Sequence, residues 1–196
     1  MQEVRRDNDI PLTSMKKIHF RCLAAMWLLL AGLSGRSGPA YAADGIETAG
    51  TALAAALPAA AGGLCLLHED REGAVQLLES TALTLGVTYA LKYAIDEDRP
   101  DGGKHSFPSG HTSVSFSAAE FMRSRYGWDY AIPAYALAGF VGYSRIEADR
   151  HHVHDVLAGA AVGILSSMLF TTPRNDLRLS ATAGDGGCAL HLTLTR

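Results

Sequence analysis

Five apolar segments with polar punctuation between them dominate the chain from residue 49 to residue 170. The first, Ala49 to Leu67, is uncharged and Ala-rich, broken only by Pro58 and the Gly62-Gly63 pair, and HEDREG (68–73) ends it. The second runs from about Ala74 to Ile95 with Glu79 and Lys92 as its only charges. A third starts after Pro108 and reaches about Arg123, a fourth covers Ala131 to Tyr143, and a fifth covers Val153 to Phe170, where Pro173 stops it. Apolar runs of this length predict helices rather than strands. Small residues at close spacing, such as Gly159 and Gly163, predict tight helix–helix approach. After the fifth segment the period changes to two: Leu190, Leu192 and Leu194 alternate with His191, Thr193 and Thr195 beyond a Gly-rich turn. That pattern predicts a β-hairpin. The fold class expected is therefore all-α, a compact bundle of about five core helices with a short C-terminal β-hairpin.

Upstream of the bundle, MKKIHFR from Met15 precedes the apolar run Cys22 to Leu33, and Ala40-Tyr41-Ala42 follows. A positive stretch, a dozen apolar residues and an A-x-A site have the layout of a secretory signal, with a retained anchor helix as the alternative. The expected organisation is a signal segment with an extended leading region at 1–42, a helical domain at 43–175 and a hairpin-like tail at 176–196. Beyond residue 42 the chain holds 11 Lys and Arg against 17 Asp and Glu, so the mature part is acidic. With 48% apolar residues and 3 Cys, the composition excludes a disordered chain and a disulfide-stapled miniprotein. The absence of a basic balance or stripe sets nucleic acid aside as a partner. No obligate protein partner is evident.

The first two segments are long enough to cross a hydrocarbon layer of about 30 Å, and about half of the mature chain lies in nearly charge-free runs. Membrane embedding is the expectation. A segment 1–42 that leaves Ala43 outside, followed by five crossings, places the ends of helices two and four on that outer side. Arg123, Arg125, Arg174 and Arg178 then face the cytoplasm, as the positive-inside tendency prefers. The expected location is a bacterial inner membrane with the functional face towards the periplasm; the alternative is a soluble periplasmic protein.

The chemistry sits at segment ends, in three clusters that this topology puts on one face: KYAIDEDRP (92–100), the PSGH turn (108–111) and SRIEADRHHVHD (144–155). Three cations, Lys92, Arg99 and Arg145, beside a helix N-terminus with backbone N–H groups at Ser109 and Gly110, make a site for a multiply charged anion such as phosphate. His151 and Asp155 are four apart at the start of the fifth helix, so the carboxylate can hold one imidazole nitrogen while the other attacks. His152 is an alternative partner for Asp155; His154 is expected to face elsewhere. His111 is placed to act as a general acid. Asp96, Glu97, Asp98 and Asp101 crowd the first cluster and are expected to be solvated.

K-x6-RP (Lys92, Arg99, Pro100), PSGH (108–111) and SR-x5-H-x3-D (Ser144, Arg145, His151, Asp155) resemble, in order and at every position, the signature of the type 2 phosphatidic acid phosphatase and vanadium haloperoxidase superfamily. The resemblance covers about residues 50–172. It implies that Lys92, Arg99, Ser109, Gly110 and Arg145 bind phosphate. It further implies that His151 attacks phosphorus to form a phosphohistidine, that His111 protonates the leaving group, that Asp155 orients His151, and that no metal or other cofactor is required. The function expected is a metal-independent phosphatase acting on a lipid phosphate monoester or pyrophosphate, with a phosphorylated lipid as substrate. The rival enzyme reading is a soluble, broad-specificity periplasmic acid phosphatase. A rival from another class is a metal-binding membrane protein using His105, His151, His152, His154 and Asp155.

Overall fold

The computed structural model describes the backbone of residues 39–174, 176–184 and 187–195, and the side chains of residues 44–174. Two compact units divide at Gly45, and of the first only the opening turns of one helix are described. The signal-like segment lies outside the described residues, apart from the backbone of 39–42. The described residues form five helices: α1 (Pro39–Leu67), α2 (Arg71–Ile95), α3 (Gly110–Tyr126), α4 (Trp128–Glu147) and α5 (Val153–Phe170). Then β1 (Asp176–Gly184) and β2 (Gly187–Thr195) pair antiparallel, with Leu177 opposite Leu194. Hydrophobicity alone misplaced the ends of two helices. Helix α1 begins ten residues before Ala49, and α4 has 20 residues because the polar flanks WDY and SRIE continue its helix. At 1.5 Å per residue α4 is about 30 Å long, so the apolar run Ala131–Tyr143 understates it.

Helix α3 is the central element, packed against α2, α4 and α5. One part of its surroundings is hydrophobic: Leu57, Ala61 and Cys65 of α1 meet Leu77, Ala118, Phe121 and Ala138. Much of the remaining interior carries small hydroxyls. Ser80, Thr84 and Thr88 recur every fourth residue on α2 and are buried, so they share one face. Thr84 donates to Ser117 (3.1 Å), and the Thr88 and Ser113 hydroxyls are 3.0 Å apart. On the other side, Gly159 and Gly163 of α5 lie against the backbone of α3. A Cβ at Gly159 would stand 2.5 Å from the Ser109 carbonyl oxygen, and one at Gly163 would collide with the Ser113 carbonyl. Glycine is required at both positions because backbone meets backbone there.

The outward faces are apolar. Leu78, Leu85, Tyr89 and Tyr93 of α2, and Leu157, Leu165, Met168 and Leu169 of α5, are all exposed. Two helices, Asp44–Leu67 and Val153–Phe170, are long and apolar enough to cross a membrane, and only 28% of each apolar window is buried. Small hydroxyl-bearing residues inside and large apolar residues outside reverse the usual distribution of a water-soluble bundle.

At the end of the bundle where α2 starts and α3 and α5 finish, a buried ion pair locks the helices. Arg125 grips Asp70 through Nε to Oδ2 and Nη2 to Oδ1, both at 2.7 Å, with both side chains 4% exposed. Asp70 also caps α2 by accepting from the Gly73 N–H, and accepts from the Tyr126 hydroxyl. Arg125 reaches on to the Thr172 carbonyl beyond α5. Cys65 is buried nearby as a free thiol. The Arg125 guanidinium holds the Asp70 carboxyl well below the usual carboxylate range.

Replacing Asp70 with Ala leaves Arg125 buried and unpaired, and is expected to lower stability by about 3–5 kcal/mol in denaturant unfolding followed in detergent. Because the folded-state pKa is depressed, the wild-type advantage is complete above the unfolded carboxylate value of about 3.9 and declines only as pH falls below it. A difference between the two proteins that disappears already at neutral pH would contradict this.

Candidate active site

The opposite end of the bundle collects the C-terminal turns of α2 and α4 and the N-termini of α3 and α5. That alternation brings three clusters distant in sequence to one place. Lys92 sits in the last turn of α2, which ends because Asp96 adopts a left-handed conformation at φ 45°. Its ammonium donates to the His105 (2.7 Å) and Ser106 (3.1 Å) carbonyls, which folds the loop 96–109 back over the helix end. Within that loop a turn closed by Gly102 N–H to the Arg99 carbonyl and by Arg99 N–H to the Gly103 carbonyl presents the Arg99 side chain; Gly102 has φ 83°. The Arg99 Nε is buried and has no hydrogen-bond partner among the described residues. A buried guanidinium N–H without an acceptor is a site for an anion.

Helix α3 opens at Gly110 with Ser109 as its N-cap. The first N–H groups of a helix have no partner within it, so Gly110 and His111 present donors and the positive end of the helix dipole. Ser109 differs from expectation: its N–H is not free but donates to the Asp155 carbonyl (3.0 Å), and its hydroxyl accepts from Thr112. Lys92, Arg99, Gly110, His111 and His151 line one cavity of about 580 Å³. Ala54, Ala55, Leu85, Tyr89 and Val114 supply its apolar wall.

Ser109, Arg145 and Asp155 are buried and lie behind this lining. Arg145, in the last turn of α4, donates through Nη2 to the Glu47 carbonyl (2.5 Å) and through Nε to the Ser144 hydroxyl. Glu47 also pairs with Arg150 (2.9 Å), whose other arm holds Asp101 (2.8 Å). The four acids around the first cluster are thus not simply solvated. Asp96 pairs with His105, Glu97 with His154, Asp98 with Lys104 and Asp101 with Arg150. They hold the loop that carries Arg99.

His151 is buried, with Nδ1 3.5 Å from Asp155 Oδ2. The same carboxylate oxygen accepts from the Ser106 hydroxyl (2.5 Å) and from the His152 backbone N–H (2.9 Å). His152 therefore reaches Asp155 through its backbone, and the ring beside the carboxylate oxygen is that of His151. His154 does not face elsewhere: its Nε2 is 3.3 Å from Asp155 Oδ1. Ser106, fully buried and also 3.4 Å from His151 Nδ1, was missed in the sequence, as were Glu47 and Arg150. A serine in a loop two residues before a PSGH turn carries no periodic or spacing signal. Burial, with the Lys92 and Arg99 charges adding to it, pushes the His151 imidazole down to about 4. It is a neutral base at ordinary pH, with Nδ1 towards the carboxylate and the ring at the cavity. That arrangement can deliver a nitrogen lone pair to an anion held by the cations.

A family model described as the PAP2 superfamily matches residues 101–178. The match takes in Ser109 to His111, Arg145, His151 and Asp155, and stops short of Lys92 and Arg99. Among curated proteins, the chain is 46% identical over 89 residues to the lipid A 1-phosphatase of Porphyromonas gingivalis, covering 43% of this chain and 20% of that protein. It is 35% identical over 128 residues to the lipid A 4'-phosphatase of Helicobacter pylori, covering 59% of this chain and 65% of that one. The chain thus spans less than two thirds of the length of either relative. The crystal structure of Aquifex aeolicus LpxE superposes with a TM-score of 0.50 at 22% identity, over 61% of this chain and 83% of that one, a likeness of fold.

Two outcomes are expected from this geometry. In an NMR titration of the histidine rings, His151 is expected to titrate near pH 4, and a midpoint near the ordinary 6.5 would mean that the imidazole is not buried among cations. Ser106→Ala is expected to lower kcat roughly tenfold with little change in KM, because it loosens Asp155 without touching the cavity cations. A rise in KM alone would place Ser106 in ligand binding instead.

Proposed function

Because a PAP2 superfamily model matches residues 101–178 and two lipid A phosphatases are similar to the chain, we propose that it is a PAP2-type, metal-independent phosphatase that hydrolyses the phosphate monoester or pyrophosphate of a membrane lipid at the periplasmic face. The observation that carries this reading is the convergence of Lys92, Arg99, Gly110, His111 and His151 on one cavity that also has an apolar wall, formed by Ala54, Ala55, Leu85, Tyr89 and Val114. A phosphate with a hydrocarbon or glycolipid body attached fits such a lining. The apolar outer faces of α2 and α5 support embedding in a bilayer and disfavour the soluble acid phosphatase reading. The signal-like layout of residues 1–42 supports a periplasmic orientation, because an N-terminus left outside puts the end of α2, the second described helix, on that outer side. Since two relatives are named for action on lipid A, a lipid A phosphate is the first substrate to test.

In this mechanism the phosphate lies between Lys92 and the Arg99 guanidinium, with the N-terminal amides of α3 donating to its oxygens and Arg145 adding positive charge from behind. The His151 nitrogen remote from Asp155 attacks phosphorus. As the P–N bond forms, the P–O bond to the lipid breaks, and its electron pair leaves on an oxygen that His111 protonates. Asp155, held by Ser106 and the His152 amide, fixes the imidazole and stabilises the charge it acquires. His111 then takes a proton from water, the hydroxide displaces His151 from phosphorus, and inorganic phosphate departs.

The test is phosphate release by the detergent-purified full chain, without added metal, from lipid A, phosphatidate, phosphatidylglycerol phosphate, undecaprenyl pyrophosphate and p-nitrophenyl phosphate. One lipid is expected to be strongly preferred. His151→Ala is expected to abolish turnover while keeping vanadate affinity, since the cations remain. Activity confined to the small ester, with no need of detergent, would favour the soluble acid phosphatase. Equal loss of turnover and vanadate binding would contradict the division of roles.

A further inference from the structure

Beside the cavity, but not among its lining residues, a second set of polar atoms converges. Glu97 Oε1, His154 Nε2 and Asp155 Oδ1 all lie within 4.8 Å of one another. Glu97 comes from the loop 96–109, and His154 and Asp155 from the first turn of α5. His154 Nε2 is 2.8 Å from Glu97 Oε1 and 3.3 Å from Asp155 Oδ1. The His152 ring stacks on His154 with centroids 5.2 Å apart and planes 8° from parallel, which holds the His154 ring in this orientation.

The Asp155 side chain is 0% exposed, and its two oxygens are treated unequally. Oδ2 accepts from Ser106 and the His152 amide, whereas Oδ1 accepts no hydrogen bond among the described residues. A buried carboxylate oxygen with both lone pairs unused is costly unless something positive meets it. Here it points towards an imidazole nitrogen and a second carboxylate. His154 is exposed and Glu97 half-buried, so the site is open to a cation from solvent. One nitrogen and two carboxylate oxygens, with water completing a tetrahedron, match zinc and its neighbours better than magnesium or calcium, which take oxygen ligands.

We propose that Glu97, His154 and Asp155 form an inhibitory site for a divalent transition-metal cation of the zinc type. The inhibitory part rests on the reading of His151 as nucleophile. The cation replaces the proton shared between His154 and Glu97, which goes to solvent, and draws the Asp155 charge towards itself. His151 then loses the carboxylate support that its positively charged state requires. Lys92 and Arg99 are untouched, so occupancy lowers kcat and leaves KM nearly constant.

Isothermal calorimetry of zinc chloride added to the full chain in detergent, in phosphate-free buffer, tests the site directly. One zinc per chain is expected, with affinity weakened roughly 10–100-fold or more in Glu97→Gln and in His154→Gln. In parallel, zinc is expected to lower the kcat of the wild type and to leave both variants, each compared with its own metal-free turnover, unaffected at the same concentration. No saturable binding, unchanged affinity in both variants, or inhibition that persists in both because zinc acts on the phosphorylated substrate, would each overturn the proposal. If no substrate is hydrolysed at all, the phosphatase reading fails, while the calorimetric comparison still decides whether the site exists.

Discussion

The Asp155 carboxylate is the point at which separate parts of this protein are tied together. Through Oδ2 it takes the Ser106 hydroxyl from the loop 96–109 and the His152 amide at the head of α5, and it stands beside the His151 ring. Its backbone carbonyl accepts the Ser109 amide, which seats the start of α3. One residue thus sets the relative positions of the loop that carries Arg99, the helix terminus at Gly110 and the histidine. The close approach of α5 to α3 at Gly159 lets this happen, because any side chain there would push the Ser109 carbonyl away. Precision at the site therefore depends on backbone-to-backbone packing one turn further along.

The two ends of the bundle answer different demands. At the end away from the cavity, Asp70 and Arg125 form a bidentate buried pair that also caps α2 and reaches the chain after α5. Its partners satisfy one another completely. At the cavity end the charges are left incompletely satisfied: Arg99 Nε and Asp155 Oδ1 are both buried and make no hydrogen bond among the described residues. Unpaired buried groups are destabilising, and they persist where the rest of the structure holds them in place. The complete network at one end and the small-residue contacts along α2, α3 and α5 supply that support.

The same contrast explains the polar interior. Serine and threonine between α2 and α3 bond across the interface or back to their own helix, so they cost little when buried and allow the helices close contact. The large apolar side chains that would fill the core of a water-soluble bundle instead cover the outside of α2 and α5. A cavity that combines cations with an apolar wall, in a bundle whose surroundings are apolar, joins both environments that an amphipathic phosphorylated molecule presents.

The sequence by itself determined the helices, their order and five of the residues that line the cavity, Lys92, Arg99, Gly110, His111 and His151. Apolar runs mark helices because every buried or lipid-facing turn must be apolar on its outer side, and α5 begins and ends where its run does. Three charged clusters at segment ends were legible because charge in such a chain is scarce and collects where helices stop. Tertiary structure alone decided what each group is paired with. The Ser109 amide is used by Asp155, the loop acids are matched one to one with bases, His154 turns back to Asp155, and Ser106 enters the site from an unmarked loop. Those pairings join residues as far as 103 positions apart, as between Glu47 and Arg150, and no local pattern encodes them. They follow from the packing of backbones, which brings side chains together only after the helices have met.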